Sequence, residues 1–368
     1  MNDEREHRVE LTGKVVSDYE VLAQYSYASS RQFRKFDWRP GRSCELAPLS
    51  VFQVEQALIG PFCIPFDLQR RLVFRNHFYE DGSWFPVDAL VRRDTYQHLR
   101  RPGPKLQGPA LLLGGAPDLN YFHWLLSWFA RLAIVELLAP ELLLDSSLPV
   151  LIDSRAQREP FLAHLGSFGV TGDRLVWIDP DQDYEVEDAF LVTLPSQNEY
   201  HPDVLRSLSA RLIASVGANR RGRRRPRLWI SREQLSPKRR VANMADLEGV
   251  LDSAGLERAN LEHMSASEQI EMFAEAELVV GVHGAGLANM IFCPADCRLL
   301  IIEKPFNVFL GLARTFTVLA EACELRHEVL VADVDVQLDT DYNDMLNAHN
   351  QDVVIDPDQL AAALRRLI

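Results

Sequence analysis

From residue 227 onward the chain repeats one rhythm: a short apolar run, then a longer stretch with apolar residues three and four apart. RLWIS, ELVVGV, RLLIIE and RHEVLVAD have the length and content of buried strands. MADLEGVLDSAG, ASEQIEMFAEA and FLGLARTFTVLAEACE carry helical spacing between them. LERANLEHM reads as a further strand-like run and AGLANMIF as a short helix. Ser265 and Glu268 stand at capping-box spacing and should open one helix, while Gly255 should close another. Strands that alternate with helices imply a parallel sheet, because parallel neighbours need a long crossover that returns over a sheet face.

An earlier stretch has the same character. PALLLGG reads as a strand and NYFHWLLSWFARLAIVELL as a largely apolar, buried helix. LPVLI, REPFLAHLGSFG, RLVWI, AFLVTL and the helix PDVLRSLSARLIASVG follow. Between the two halves lies ANRRGRRRPR, residues 218–227, whose arginines, glycine and proline suit a solvated linker or a phosphate- or membrane-contacting patch. The expected organisation is an irregular, aromatic and proline-punctuated segment with short strands over 1–85, part of the N-terminal domain, followed by the Rossmann-like α/β body of that domain over 86–217. The linker at 218–227 then leads to a second α/β domain over 228–350 and a closing helix in 351–368, begun by Asp356 and Pro357. That helix could pack on either domain. A length of 368 residues suits two such domains.

Composition narrows the partners. A net charge of −13 argues against general nucleic-acid binding, so any anionic ligand must be caught by local basic groups. The five cysteines are odd in number and scattered, which suits a reducing compartment; Cys293 and Cys297 lack the company a zinc site needs. MNDEREHRVELTGKVV is too charged for a secretory signal, and ALLLGG and RLLIIE are too short to cross a membrane. The expected location is cytoplasmic, with peripheral membrane contact as an option; oligomeric state is not legible.

The chemistry concentrates in LVVGVHGAGLANMIF, residues 278–292. A strand ends at Val280–Val282 and a helix begins near Gly284 and Ala285, the place where open α/β sheets bind ligands. Small residues at Gly281, Gly284, Ala285 and Gly286 would let backbone N–H groups approach a phosphate. The spacing is neither the dinucleotide fingerprint nor a P-loop, so the glycines alone are a weak signal and a tight turn without ligand stays open as the alternative. Glu303 at the end of the following strand has the chemistry to accept hydrogen bonds from ribose hydroxyls. Arg232, Arg239 and Arg240 could bind phosphate through bidentate guanidinium contacts.

Together the segments LWISRE, KRRVAN, LEHMSASEQIEMFAEAELVVGVHGAGLANMIF and RLLIIE resemble the core of glycosyltransferase family 61. NYFHWLLSWFARL resembles that family's upstream helix, and the likeness covers roughly 110–305. The resemblance implies a GT-B arrangement, two Rossmann-like parallel-sheet domains facing across a cleft. It also implies inverting transfer from a nucleotide sugar, most commonly a UDP-sugar, to a glycan or lipid-linked acceptor in bacterial surface polysaccharide synthesis. The family positions fall on His123, Trp124, Arg131, Ser231, Arg232, Arg240, Asn243, His283, Gly284, Gly286, Asn289 and Glu303. Ser127 and Ala130 depart from it, standing where relatives often have aspartate and proline.

An inverting displacement needs a base for the acceptor hydroxyl and positive charge for the leaving diphosphate. The expected base is His123, on the acceptor side with Trp124, Ser127 and Arg131. His283 is expected to meet the leaving group, with a role as base held open. Arg232, Arg240 and the turn at 284–286 could replace a divalent cation, so no cofactor is expected beyond weak cation stimulation. The Asp-x-Asp pairs at Asp179/Asp181/Asp183, Asp333/Asp335 and Asp339/Asp341 read as solvated loops. Ser127 and Ala130 also suit a catalytically inactive binding relative, and a different nucleotide-dependent enzyme is the remaining alternative.

Overall fold

A computed structural model describes residues 102–114, 120–179, 182–192, 200–217, 225–232, 239–305, 307, 314–334 and 351–368. It also describes strand backbones at 21–25, 33–34, 43–44, 49–60, 64–67 and 72–73. Linker residues 218–224, Asp181, Asp335, Asp339 and Asp341 lie outside the described residues. The chain divides into two compact units, Met1–Arg31 with Glu45–Leu208, and Gln32–Cys44 with Ser209–Ile368.

The first unit holds an eight-stranded sheet of β1 (Val21–Tyr25), β2 (Leu49–Gly60), β3 (Ile64–Asp67), β4 (Leu72–Val73), β5 (Pro102–Gly114), β6 (Val150–Asp153), β7 (Leu175–Ile178) and β8 (Asp183–Val192). The order is β4-β3-β2-β8-β5-β6-β7, with β1 also paired to β2. From β8 to β7 every pairing is parallel, whereas β8–β2, β2–β3, β3–β4 and β1–β2 are antiparallel. The sheet is therefore mixed, which corrects the expectation of a purely parallel one. The antiparallel half comes from the segment 1–85, whose expected short strands join the sheet of this unit and include the long β2. In β2, Gln56 takes φ 54° and the next three residues, Ala57, Leu58 and Ile59, are all buried. That breaks the period-two alternation by which a strand is recognised.

One long helix, α1 (Tyr121–Leu138), is the centre of this unit. Asn120 caps it, its side-chain oxygen accepting from the His123 N–H at 3.0 Å. A π turn runs through Trp124–Trp128, where the Phe129 N–H reaches back to the Trp124 carbonyl at 2.8 Å. The helix is long and apolar enough to cross a membrane by composition, a property the sequence reading missed. Within the unit 72% of that window is buried, as befits a core helix. Helices α2 (Pro140–Leu144), α3 (Phe161–Ser167) and α4 (Pro202–Val216) follow. Asp183, expected in a solvated loop, is instead buried at the start of β8.

The second unit carries a five-stranded sheet of β9 (Arg227–Ile230), β10 (Leu256–Ala259), β11 (Leu278–Val282), β12 (Arg298–Glu303) and β13 (Arg326–Val331). Its order is β10-β9-β11-β12-β13 and every pair is parallel, as the alternation required. Helix α5 (Met244–Ala254) ends at Gly255 in the left-handed region, φ 66°. Helix α6 (Ala266–Ala274) opens with the complete Ser265–Glu268 capping box. LERANLEHM splits into β10 and a 3₁₀ turn at Leu261–His263. AGLANMIF is a 3₁₀ helix, Ala285–Phe292, rather than an α-helix. Helix α7 (Arg314–Ala322) leads to β13, and α8 (Pro357–Leu367) packs on α5, β12 and β13. Leu360, Leu364 and Leu367 recur on one face of α8 and are buried. Each contributes about 1.5–3 kcal/mol by leaving water, which ties the last helix to this unit.

The end of the expected linker is pinned. Arg225 pairs with Asp296 and donates to the Ala276 carbonyl at 2.9 Å, and Arg227 donates to Glu277 and to the Ala254 carbonyl, each at 3.0 Å. Residue 227 already belongs to β9.

Candidate functional site

In chain order the second sheet runs 2-1-3-4-5, so the connections leaving β9 and β11 depart to opposite sides. The crevice between two such strand ends is the place where open α/β sheets receive ligands. Ile230 pairs with Gly281 and Val282 with Ile302. Continuing that register places Arg232, His283 and Glu303 side by side beyond the carboxyl edge, with Gly284 beside Lys304.

The glycines of the turn are explained first by the protein's own packing. A Cβ on Gly281 would stand 3.0 Å from the Leu287 Cδ2 and 3.3 Å from the Ile230 Cβ. One on Gly286 would stand 2.7 Å from the Leu261 Cδ1. Gly284 differs: a Cβ there would fall 2.0 Å from the Arg232 Nη1 and 3.1 Å from its Cζ. The missing side chain makes room for a guanidinium. Because the Leu287 N–H already bonds to the Gly284 carbonyl at 3.0 Å, the amides ahead of the 3₁₀ ladder are those of Ala285 and Gly286.

Arg232 is half-buried, and its Nε is enclosed with no hydrogen-bond partner among the described residues. Burial, reinforced by the neighbouring Arg239 charge, pulls its pKa down to about 10, against the attraction of Glu262. Lys304 has no exposed surface, and its Nζ donates to the Gln351 carbonyl. Burial and then Arg239 lower its pKa to about 8, with Arg232 adding to the effect and Asp352 and Glu303 opposing it. Arg232, Arg239 and Lys304 thus gather at one sheet edge, and positive charge placed there favours an arriving anion.

Beside them stands an ordered imidazole. His283 Nδ1 lies 2.8 Å from Glu303 Oε1, while Asn307 Nδ2 donates to Glu303 Oε2 at 2.8 Å. Phe316 meets the histidine ring edge to face at 4.8 Å between centroids. Glu303 is fully buried. Its partners are His283 and Asn307, a different set from the ribose diol expected of it. A carboxylate on Nδ1 fixes the ring plane of this buried histidine and favours the tautomer with the proton on that nitrogen, which makes Nε2 the acceptor nitrogen of the ring.

The family comparison now falls on this geometry: the model for glycosyltransferase 61 matches residues 121–300, which include the turn, Arg232 and helix α1. The chain belongs to glycosyltransferase family 61. No curated protein matches the chain. Membership carries transferase chemistry in general, with a sugar donor and an acceptor as its two ligands.

The other family positions in this glycosyltransferase are structural in their contacts. Asn289 is buried and donates to the Gln269 side-chain oxygen at 3.0 Å; Gln269 in turn donates to the Leu261 carbonyl at 2.9 Å. The pair clamps the 3₁₀ helix to α6. Asn243 donates to the Ile355 carbonyl at 2.8 Å and accepts from the Ile355 N–H at 3.0 Å. Arg240 contacts Asp352 through its Nε at 3.4 Å and its backbone N–H at 2.7 Å. These three residues therefore fasten turns and the segment 351–355. Ser231 is buried, and its N–H continues the sheet to the Ala259 carbonyl at 2.9 Å.

In the first unit, Trp124, Ser127 and Arg131 have almost no exposed surface. Trp124 donates through Nε1 to His164 Nδ1 at 3.1 Å and stacks on Phe161 at 4.4 Å. Arg131 donates to the Leu113 carbonyl. In this conformation these residues hold α1 in place and offer no surface to an acceptor. His123 is partly exposed, with its ring against Phe122.

Lys304, Asn307, Phe316 and Gln269 did not stand out in the sequence. Only Lys304 left a signal there, as a second charged residue directly after an apolar strand in LLIIEK. Among the described residues no three His, Cys, Asp or Glu side chains form a metal-binding group.

Proposed function

We propose that this glycosyltransferase moves a sugar from a nucleoside diphosphate sugar, with UDP as the expected nucleotide, to a hydroxyl of a glycan or lipid-linked acceptor with inversion at the anomeric carbon. The observation that carries the reading is the Arg232 guanidinium lying over Gly284 at the topological switch point. Arg232 and the amides of Ala285 and Gly286 would take the diphosphate oxygens. Their charge does the work a divalent cation does in other transferases, by stabilising negative charge as it develops on the leaving group.

The base is assigned to His283 in preference to His123, because the bond from Nδ1 to buried Glu303 gives His283 the oriented imidazole a base requires. The acceptor hydroxyl gives its proton to His283 Nε2 as its oxygen bonds to the anomeric carbon. The bond from that carbon to the diphosphate breaks, and the electron pair leaves with the nucleotide. Glu303 stabilises the resulting imidazolium without taking the proton. A cytoplasmic enzyme of surface polysaccharide synthesis, touching the membrane peripherally, is the setting in which this activity would operate.

Paired histidine variants test the assignment. In His283→Ala, turnover of UDP-sugar with acceptor should fall by about 100-fold or more while UDP affinity stays within a few-fold of wild type. In His123→Ala, turnover should persist. Loss of turnover in His123→Ala alone would return the base to His123.

A further inference from the structure

Ile230 pairs with Ala259, so Arg232 and Leu261 leave β9 and β10 level with each other, and Glu262 is the next residue. Across the carboxyl edge of the second sheet the order is therefore Glu262, Arg232, His283 and Glu303. The segment carrying Glu262 is fixed against the glycine turn. A Cβ on Gly286 would stand 2.7 Å from the Leu261 Cδ1. Gln269 donates to the Leu261 and Met264 carbonyls at 2.9 and 3.2 Å and accepts from Asn289 at 3.0 Å. The Glu262 carboxylate is exposed, and its charge attracts the Arg232 guanidinium.

A negative charge beside an anion seat works against the anion, so its place there calls for a different partner on the ligand. Other carboxylates around the turn are occupied: Glu303 holds His283 and Asn307, and Glu268 caps α6. With a diphosphate over Arg232 and the anomeric carbon toward His283, the nucleoside extends the other way, toward β10. The group it brings there, next to the diphosphate, is the ribose. We propose that Glu262 accepts the ribose hydroxyls of the donor nucleotide and so selects a ribonucleotide over its deoxy counterpart. An ionised carboxylate has acceptor sites for both hydroxyls of a vicinal diol. The inference rests on the proposed function, because it needs the diphosphate at the turn and the sugar at His283.

Calorimetric titration of wild type and Glu262→Ala with three ligands tests it: UDP, its dideoxyribose analogue lacking both ribose hydroxyls, and pyrophosphate. Wild type should bind UDP about tenfold or more tightly than the dideoxy analogue. Glu262→Ala should bind those two within about twofold of each other, and should hold pyrophosphate at least as well as wild type, because a negative charge has left the site. Glu262→Gln, which keeps one acceptor without the charge, should retain part of the preference, and thermal unfolding checks that both variants fold. A preference unchanged in Glu262→Ala, or all three ligands weakened alike in that variant, would overturn the inference. Equal affinity of wild type for UDP and its dideoxy analogue would also overturn it and leave the proposed function standing. Failure of wild type to bind UDP would remove the proposed function, and this inference with it.

Discussion

At Gly284 the backbone is extended, with φ 176°, a conformation open to any residue. Only the space above it is reserved, and Arg232 fills that space. Gly284→Ala should push the guanidinium aside and weaken UDP binding by about 1.5–3 kcal/mol, roughly tenfold to a hundredfold, with little change in melting temperature. Gly286→Ala should do the reverse, because its Cβ would meet buried Leu261. Overpacking there should cost about 1–3 kcal/mol of stability and leave the affinity of the folded protein intact. Calorimetry and thermal melts on the two variants separate the roles; equal loss of affinity in both would mean that the glycines face the ligand directly. This distinction was not legible in the sequence, where both glycines read as one cradle. Which neighbour a missing side chain makes room for depends on residues far along the chain, here Arg232, Leu261 and Leu287. Glu303 shows the same limit: its place after an apolar strand was legible, but its pairing with His283 and Asn307 needed the sheet register.

At the scale of elements, the paired helices α1 and α3 hold a pH-sensitive core contact. His164 accepts the Trp124 indole N–H, and its Nε2 is buried with no hydrogen-bond partner among the described residues. Burial drives its pKa from 6.5 down to about 4. The neutral form is favoured on folding, so the stabilisation is complete above pH 6.5 and is lost as pH falls through about 4. The whole shift is worth about 3 kcal/mol. His164→Gln, which keeps an acceptor for the indole but does not titrate, should lose less stability than wild type between pH 7 and pH 4 in urea unfolding. An identical pH slope in the two proteins would show that His164 is not the group responsible. Elements of the second unit were well foretold, because capping at Ser265, the stop at Gly255 and the apolar runs all agree with the fold. The 3₁₀ character of Ala285–Phe292 and the π turn of α1 were hidden, since both keep the apolar content of an α-helix and change only which carbonyl each N–H finds.

For the molecule as a whole, the strand–helix alternation led to the second sheet and to the edge where its cations gather. The mixed character of the first sheet escaped it, because β2 buries three residues in a row after Gln56 and so loses the strand signature. Family membership then joins the two readings at one turn, where Arg232, Gly284, His283 and Glu303 meet. In the proposed reaction this turn receives the diphosphate of a nucleotide sugar. Calorimetric titration of wild type and Arg232→Met with UDP, with uridine as the control, tests it most directly. Wild type should bind UDP and not uridine at matched concentration, and Arg232→Met should lose tenfold or more in UDP affinity while its melting temperature holds. Equal affinity for UDP and uridine, or UDP binding unchanged in Arg232→Met, would contradict it.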